Sequence, residues 1–117
     1  MIAGQISQVK IPTISLEVAG VTYLAVIDTG FNGYLELPSG LRSVLPSRYT
    51  GRVKSLLAGG QCIEEETYLV HFPFDGEVIE ANVTFVDGEK ILVGTQMLRN
   101  HRLEIDFPAG TVVLQQA

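Results

Sequence analysis

The sequence predicts an all-β protein, and two observations on its 117 residues lead to this prediction. First, short turn signals that contain glycine recur along the whole chain: Ala19-Gly20, Asn32-Gly33, Gly59-Gly60, Asp75-Gly76, Asp87-Gly88 and Ala109-Gly110. Second, the segments between these turns are short and rich in Val, Ile, Leu, Thr, Tyr and Phe, which favour strands. Many short strands separated by turns are typical of a β-barrel or a β-sandwich.

The first part of the chain contains three predicted strands. Residues 13–18 alternate between apolar and polar side chains, which predicts a strand with one buried face. Residues 21–27 are apolar on both faces, and such a run predicts a strand in the centre of the fold. Residues 34–38 form the third predicted strand, and a further turn of helix is predicted within residues 41–47.

A hairpin is predicted over residues 52–72, with Gly59-Gly60 as its two-residue turn. In that register Lys54 lies opposite Glu65, and opposite charges across strands are favourable. The run of glutamates at 64–66 is then interpreted as a solvated face of the hairpin rather than a cation site. With charges along it and glycines at its tip, the hairpin is expected to project into solvent as a flap.

The last part of the chain contains three further strands and one helix. Residues 78–86 alternate, with their apolar side chains facing inward. Residues 103–107 and 111–114 form a closing hairpin, and Asp106 is expected to cap its turn or to face away from the core. A helix is predicted at residues 95–101, because this stretch follows a glycine and ends in cations, which suit the negative end of a helix dipole.

Length and composition limit the possible functions. The chain is long enough for one domain with a core of its own, so we expect a single domain over residues 1–117. A net charge of -5 and scattered Lys and Arg residues argue against binding to nucleic acid. The N-terminus lacks the pattern of a signal peptide, and no apolar run approaches the roughly 18 residues that span a bilayer. We therefore expect a soluble cytoplasmic protein without membrane contact.

Metal and cofactor sites are not predicted. His71 and His101 are far apart in the sequence, and Cys62 has no second cysteine or histidine beside it. The single cysteine excludes an internal disulfide, and Cys62 is expected to contribute to packing.

The candidate functional residues are Asp28, Thr29 and Gly30, which follow directly on an apolar strand. A carboxylate at the end of a buried strand must be hydrogen-bonded, or its pKa shifts. A tight turn lets the N–H groups after Asp28 donate to its carboxylate, and glycine permits the close approach of the backbone. Because Asp, Thr and Gly are also common in turns, a plain turn is the alternative interpretation of these three residues.

The order of the elements around Asp28 resembles a known family. An apolar strand leads into Asp28-Thr29-Gly30, a second strand and a glycine-tipped hairpin follow, and Leu92-Val93-Gly94 leads into a helix. This order, over about residues 21–114, resembles the single-domain retropepsin-like aspartic proteases of clan AA. Residues 28–33 and the ending at 103–107 resemble more narrowly a small prokaryotic branch with the motif Asp-Thr-Gly-Phe. The resemblance implies a retropepsin-like acid-protease barrel with a flap hairpin and one short C-terminal helix.

The resemblance also implies the activity of an aspartic endopeptidase without a cofactor. In this family two carboxylates share one proton, and aspartic proteases are themselves the usual example of such a coupled pair. Because this chain has one Asp-Thr-Gly, the second Asp28 is expected from a second copy, which implies a homodimer acting on a peptide or protein substrate. By the resemblance Thr29 braces the two loops across the dimer, and Gly30 contacts the substrate backbone. The further residues expected to bind substrate are Phe31, Asn32, Gly59 and Gly60.

Three departures from the family's pattern leave an alternative function open. Phe31 is bulkier than the small residue that usually follows Asp-Thr-Gly, Asn32 lacks the charge of the usual Asp, and Thr95-Gln96 lacks the usual Arg. The alternative is a catalytically weak or inactive module of the same fold that dimerises or binds peptides. A third possibility is an unrelated β-barrel in which Asp28-Thr29-Gly30 is only a turn.

Overall fold

The structure is a computed structural model that describes residues 1–56 and 59–117. In this part of the chain ten strands and two short helices follow one another: β1 (Ile2–Ile6), β2 (Pro12–Val18), β3 (Val21–Ile27), β4 (Leu35–Pro38), a 3-10 helix (Ser39–Leu41), β5 (Arg48–Leu56), β6 (Cys62–Phe74), β7 (Glu77–Val86), β8 (Ile91–Val93), α1 (Thr95–Leu98), β9 (His101–Asp106) and β10 (Thr111–Gln116). The all-β prediction is confirmed.

The strands of the described residues join into one sheet with the order β5-β6-β7-β4-β8-β3-β2-β1-β10-β9. Most neighbours are antiparallel, but β3 pairs with β8 and β4 with β7 in parallel. Parallel neighbours need a crossover connection, so these two pairs bring distant parts of the sequence side by side. The loop that carries Asp28 connects β3 to β4, and these two strands flank β8 in the sheet.

One face of the sheet encloses a single apolar core. The predicted inward sets of β2 and β7 are confirmed, since Ile14, Leu16 and Val18 are buried and Ala81 and Val83 are inaccessible to solvent. Burial of such side chains stabilises the fold by about 25 cal/mol for each Å² of apolar surface. The other large side chains that are almost fully buried are Phe72, Leu35, Leu37, Ile91, Leu114, Val70, Val93 and Val112.

Strand β3 has the predicted bounds and an interior place in the sheet, but only one of its two apolar faces is buried. Ala25 and Ile27 face the core, whereas Leu24 on the opposite face is 60% exposed. The reason is that the core covers one face of the sheet, and no layer packs on the other face at β3 among the described residues.

The C-terminal helix is shorter than predicted, because the chain enters β9 at His101. His101 pairs with Gln116 of β10, and its Nε2 lies 3.1 Å from Oδ2 of the buried Asp75. The cation that closes the helix is Arg99, whose guanidinium donates to the carbonyl of Gln96 at 2.7 Å.

None of the helices among residues 1–56 and 59–117 is long and apolar enough to cross a membrane.

The predicted central hairpin is formed by β5 and β6, but its register differs by one residue. Lys54 lies opposite Glu64 rather than Glu65, and the strands pair up to Leu56 and Cys62. This pairing leaves residues 57–61 between the strands, a longer connection than the two-residue turn that the prediction assumed; Leu57 and Ala58 lie outside the described residues. Cys62, expected to pack, is exposed.

The new register determines which side chains share a face of the hairpin. Arg52 pairs with Glu66 and lies within 4 Å of the carboxylates of both Glu64 and Glu66, so one face carries the ion pairs. Val53 and Glu65 lie on the opposite face. Because β7 pairs with β6 only from Thr67 onward, the tip half of the hairpin extends beyond the sheet.

The closing hairpin agrees with the sequence prediction. β9 and β10 pair antiparallel over their whole length, from Asp106 with Thr111 to His101 with Gln116. The Asp106 carboxylate accepts a hydrogen bond of 3.0 Å from the N–H of Ala109, so it caps the turn as expected.

Candidate functional site

Two hydrogen bonds hold the N–H and the carboxylate of Asp28 at the end of β3, in addition to the bond of 3.1 Å that its carbonyl accepts from the N–H of Phe31. Its N–H donates to the carbonyl of Val93 at 3.0 Å, which continues the pairing of β3 with β8 by one residue. The N–H of Gly30 donates to Oδ1 of Asp28 at 2.9 Å. This second bond is the one that the turn at Asp28-Thr29-Gly30 predicts, and it orients the carboxylate relative to the loop.

The loop after Asp28 is also bonded to the start of α1. The N–H of Thr95 donates to the carbonyl of Phe31 at 2.8 Å, and the N–H of Gln96 donates to that of Gly33 at 3.1 Å. The N–H of Gly94 donates to the carbonyl of Tyr34 at 2.9 Å. The first N–H groups of a helix have no partner within the helix, so the loop supplies their acceptors and the two segments brace each other.

Two glycines make this close contact possible. A Cβ on Gly94 would lie 2.2 Å from the carbonyl oxygen of Gly33 and 2.7 Å from Cδ2 of Phe31. A Cβ on Gly33 would lie 2.6 Å from Cζ of the same ring. The Phe31 ring therefore lies against the backbone of both glycines. A larger residue at Gly94 would displace the loop backbone, whereas one at Gly33 would displace the Phe31 ring.

The predicted catalytic residues are accessible from solvent. Asp28 is half-buried, whereas Thr29 and Gly30 are exposed. Among the residues that the structure describes, no Lys, Arg or His lies within 4.0 Å of the Asp28 carboxylate. The carboxylate thus stands without a neutralising cation at the surface of a well-braced loop.

A cavity of about 260 Å³ lies beside this loop. The loop contributes Phe31 and Asn32, two of the predicted substrate-binding residues. The flap hairpin contributes Val53, Lys54, Glu65 and Thr67, and β7 contributes Asn82 and Thr84. The rest of the lining is Gly33, Tyr34, Leu35 and Gln96. The other two predicted residues, Gly59 and Gly60, do not line this cavity; an added Cβ at either would meet no atom of the described chain within 4 Å.

Comparison with known proteins supports the fold. A solved structure of a retropepsin-like aspartic protease from Rickettsia conorii matches with a TM-score of 0.64 and 16% sequence identity, covering 96% of this chain and 87% of that chain. The fold is retropepsin-like. No family model matches the sequence, and no curated protein matches it.

Glu36 is a residue of this retropepsin-like fold that the sequence analysis did not single out. It lies on β4 between the buried Leu35 and Leu37, so it points to the opposite face. Burial raises the pKa of Glu36, and the carboxylates of Glu65 and Asp28 raise it further. Glu36 is therefore close enough to Asp28 and to Glu65 of the flap hairpin for both charges to act on it.

Thr84 is the second residue that the sequence analysis missed. It pairs with Glu36 on β4 and with Thr67 on β6, so the three side chains share one face of the sheet. Thr84 is 9% exposed, and its hydroxyl has no hydrogen-bond partner among the described residues. The alternation of apolar and polar residues along β4 and β7 predicts that Glu36 and Thr84 face away from the core. Only the parallel pairing of the two strands places Glu36 beside Thr84.

Proposed function

We propose that the chain is a homodimeric aspartic endopeptidase, in which a water molecule is activated between the Asp28 carboxylates of two subunits. The observation that carries this proposal is the Asp28 loop itself. In a retropepsin-like fold, it presents a carboxylate that accepts the N–H of Gly30, has no neighbouring cation among the described residues and stands beside an open cavity. The Phe31 that follows favours the small prokaryotic Asp-Thr-Gly-Phe branch.

The requirement for two subunits follows from the chemistry. Hydrolysis of an amide needs one group that accepts a proton from water and another that donates a proton to the carbonyl oxygen. Two adjacent carboxylates that share a proton supply both groups, and the sequence contains a single Asp-Thr-Gly. A two-fold axis beside Asp28 brings the second carboxylate into place. Thr29, exposed in one subunit, is then available to hydrogen-bond across the axis.

The reaction proceeds through a tetrahedral intermediate. One ionised Asp28 takes a proton from water as the oxygen forms a bond to the scissile carbonyl carbon. The protonated Asp28 of the other subunit donates its proton to the carbonyl oxygen, giving a neutral diol. The Asp28 that took the proton from water then gives it to the peptide nitrogen. As the C–N bond breaks, one hydroxyl of the diol returns a proton to the other Asp28, and the products are a carboxylic acid and an amine. Gly30, Phe31 and Asn32 hold the peptide backbone, and Gly59 and Gly60 at the hairpin tip cover it.

The test compares wild type with Asp28→Asn on an unfolded protein substrate at acidic and neutral pH, with and without pepstatin. We expect Asp28→Asn to lower the rate of cleavage by at least about 100-fold, the usual contribution of a general acid or base. Asp106→Asn is the matched control, since Asp106 makes the same kind of turn bond on the closing hairpin. Cleavage that survives Asp28→Asn would place the activity elsewhere.

Mixing subunits tests the shared site directly. If wild type and Asp28→Asn exchange subunits freely, equal amounts should leave about half of the initial activity and a threefold excess of the variant about one quarter, because only wild-type pairs retain both carboxylates. Activity that is insensitive to the variant, or sedimentation that shows only monomer at the assay concentration, contradicts the proposal. A dimer that cleaves nothing but binds peptides would support the alternative function, a peptide-binding module.

A further inference from the structure

Three half-buried carboxylates lie on the flap-facing side of the sheet. Glu36 projects from β4, Glu65 from the inner face of the flap hairpin, and Asp28 from the loop after β3. Glu65 lines the cavity of about 260 Å³, and both Glu65 and Asp28 act on Glu36 through their charges. Mutual repulsion among carboxylates at half-buried positions is unfavourable, so this side of the sheet would gain from a cation.

Among the described residues no Lys, Arg or His forms an ion pair with these three carboxylates, although Lys54 lines the cavity beside Glu65 and Lys90 lines a neighbouring cavity with Glu36. The guanidinium of Arg52 lies on the outer face of the hairpin, 3.7 Å from Glu64 and 3.8 Å from Glu66. Lys54 borders the cavity but is exposed, and the strand pairing places it with Glu64 on that same outer face. The two adjacent glutamates of β6 thus differ in their surroundings. Glu64 has an ion-pair partner at the surface, whereas Glu65 is more buried and has no such partner among the described residues.

A second, independent feature lies in the wall of the same cavity. Thr84 lines it and is more than nine-tenths buried, yet its hydroxyl has no partner among the described residues. Leaving a buried hydroxyl without a hydrogen bond is costly, so such a group in a cavity wall is suited to a polar ligand atom. A hydroxyl has free lone pairs for an N–H donor, which is what an ammonium or guanidinium group presents.

We infer that this cavity binds a lysine or arginine side chain of the peptide substrate, and we call Glu36, Glu65 and Thr84 the acidic subsite. The Glu65 carboxylate pairs with the cationic head, the Thr84 hydroxyl accepts one of its N–H groups, and Glu36 behind Thr84 adds negative potential. This inference rests on the proposed function, because the substrate peptide is what brings the cation to the cavity.

A side chain fits the observations better than a metal ion or a whole small molecule. Among the described residues, no three acidic, His or Cys side chains are close enough together to hold a metal ion. The cavity of about 260 Å³ is smaller than the roughly 300–1,000 Å³ of typical small-molecule pockets. Apolar surface from Phe31 and Val53 beside the acidic groups suits the aliphatic stem of Lys or Arg.

The experiment uses pairs of peptides that differ only in carrying lysine or uncharged norleucine at one position, scanned across the scissile bond. Cleavage gives the ratio of kcat/KM within each pair, and fluorescence anisotropy with Asp28→Asn gives the ratio of binding constants without turnover. At the position that enters the cavity, we expect the full-length protein to favour lysine by about tenfold or more. Glu65→Gln should lower this preference at least fivefold and Thr84→Val about threefold. Glu64→Gln, the same change on the outer face of the same strand, should leave the preference unchanged.

The outcomes separate this inference from the proposed function. If the peptides are cleaved but no position favours lysine, the acidic subsite is refuted while the protease function stands. If Glu64→Gln and Glu65→Gln reduce the preference equally, the effect is general electrostatic attraction and the assignment to Glu65 is overturned. If nothing is cleaved, the proposed function fails, and the ratio of binding constants from anisotropy alone tests the acidic subsite. Equal binding of both peptides refutes the subsite. A preference for the lysine peptide that is lost in Glu65→Gln supports it.

Discussion

Replacement of Gly94 by alanine tests whether the Asp28 loop is braced as the structure indicates. The new Cβ would lie 2.2 Å from the carbonyl oxygen of Gly33, and this contact must open by about 1 Å to reach an ordinary C···O distance of roughly 3.3 Å. The contact is with backbone, which cannot rotate away. The loop and the start of α1 must therefore separate.

The cost follows from the hydrogen bonds that cross this contact. Three N–H groups, of Gly94, Thr95 and Gln96, donate to the loop at 2.8–3.1 Å, and a displacement of about 1 Å breaks them. At about 1 kcal/mol each, their loss lowers the free energy of unfolding by about 3 kcal/mol. That is a large part of the roughly 5–15 kcal/mol of a typical domain. The same displacement should lower any cleavage activity by about 100-fold.

Urea unfolding followed by far-UV circular dichroism measures the change, since the chain has no tryptophan for fluorescence. Gly40→Ala is the matched control, because a Cβ on Gly40 would meet no atom within 4 Å. We expect the control to stay within about 0.5 kcal/mol of wild type. A loss below about 1 kcal/mol for Gly94→Ala would refute the reasoning, because two or more of the three bonds would then have survived.

Three further changes test separate features of the structure. In urea titrations Glu36→Gln should raise the free energy of unfolding at about pH 7 and leave it unchanged at about pH 3. The pKa of Glu36 is raised in the folded state, which therefore binds the proton more tightly than the unfolded state does. The stability of the wild type thus falls as the pH rises above the usual glutamate pKa. A variant less stable than wild type at neutral pH would contradict this sign. Thr84→Val should raise the free energy of unfolding, measured in the same way, by about 1 kcal/mol, because it removes a buried hydroxyl that has no partner among the described residues. A decrease of similar size would show that the hydroxyl is hydrogen-bonded. Arg52→Gln should lower the free energy of unfolding by less than about 0.5 kcal/mol, because the ion pairs of Arg52 are exposed. In 1 M salt the difference from wild type should disappear. A larger loss that persists in salt would show that the pairs act as a packed network.

Local chemistry explains why several features were predictable from the sequence. The turn at Asp28-Thr29-Gly30 forms the expected hydrogen bond, because an aspartate followed two residues later by glycine bonds within its own turn. Asp106 caps the closing hairpin through the N–H of Ala109, three residues on, because Pro108 has no N–H to donate. Alternation along β2 and β7 identified their buried faces correctly, since a strand with one covered face imposes a period of two on its side chains.

The errors arose where distant parts of the chain meet. The register of the flap hairpin depends on the connection between β5 and β6, and an error of one residue exchanges Glu64 and Glu65 between its faces. The helix after Gly94 ends early because residues 101–106 enter a strand, which local cation patterns do not reveal. The exposure of Leu24 depends on what covers the second face of the sheet, and no sequence pattern within β3 reports this.

Turn chemistry and strand periodicity act between near neighbours, so the sequence alone predicts an all-β chain with one Asp-Thr-Gly. The groups that surround this aspartate depend on the tertiary structure. The parallel pairing of β4 with β7 sets Glu36 beside Thr84, and the hairpin register turns Glu65 inward and Glu64 outward. These placements depend on how strands far apart in the sequence pair, so they follow from the whole sheet and not from any segment of it.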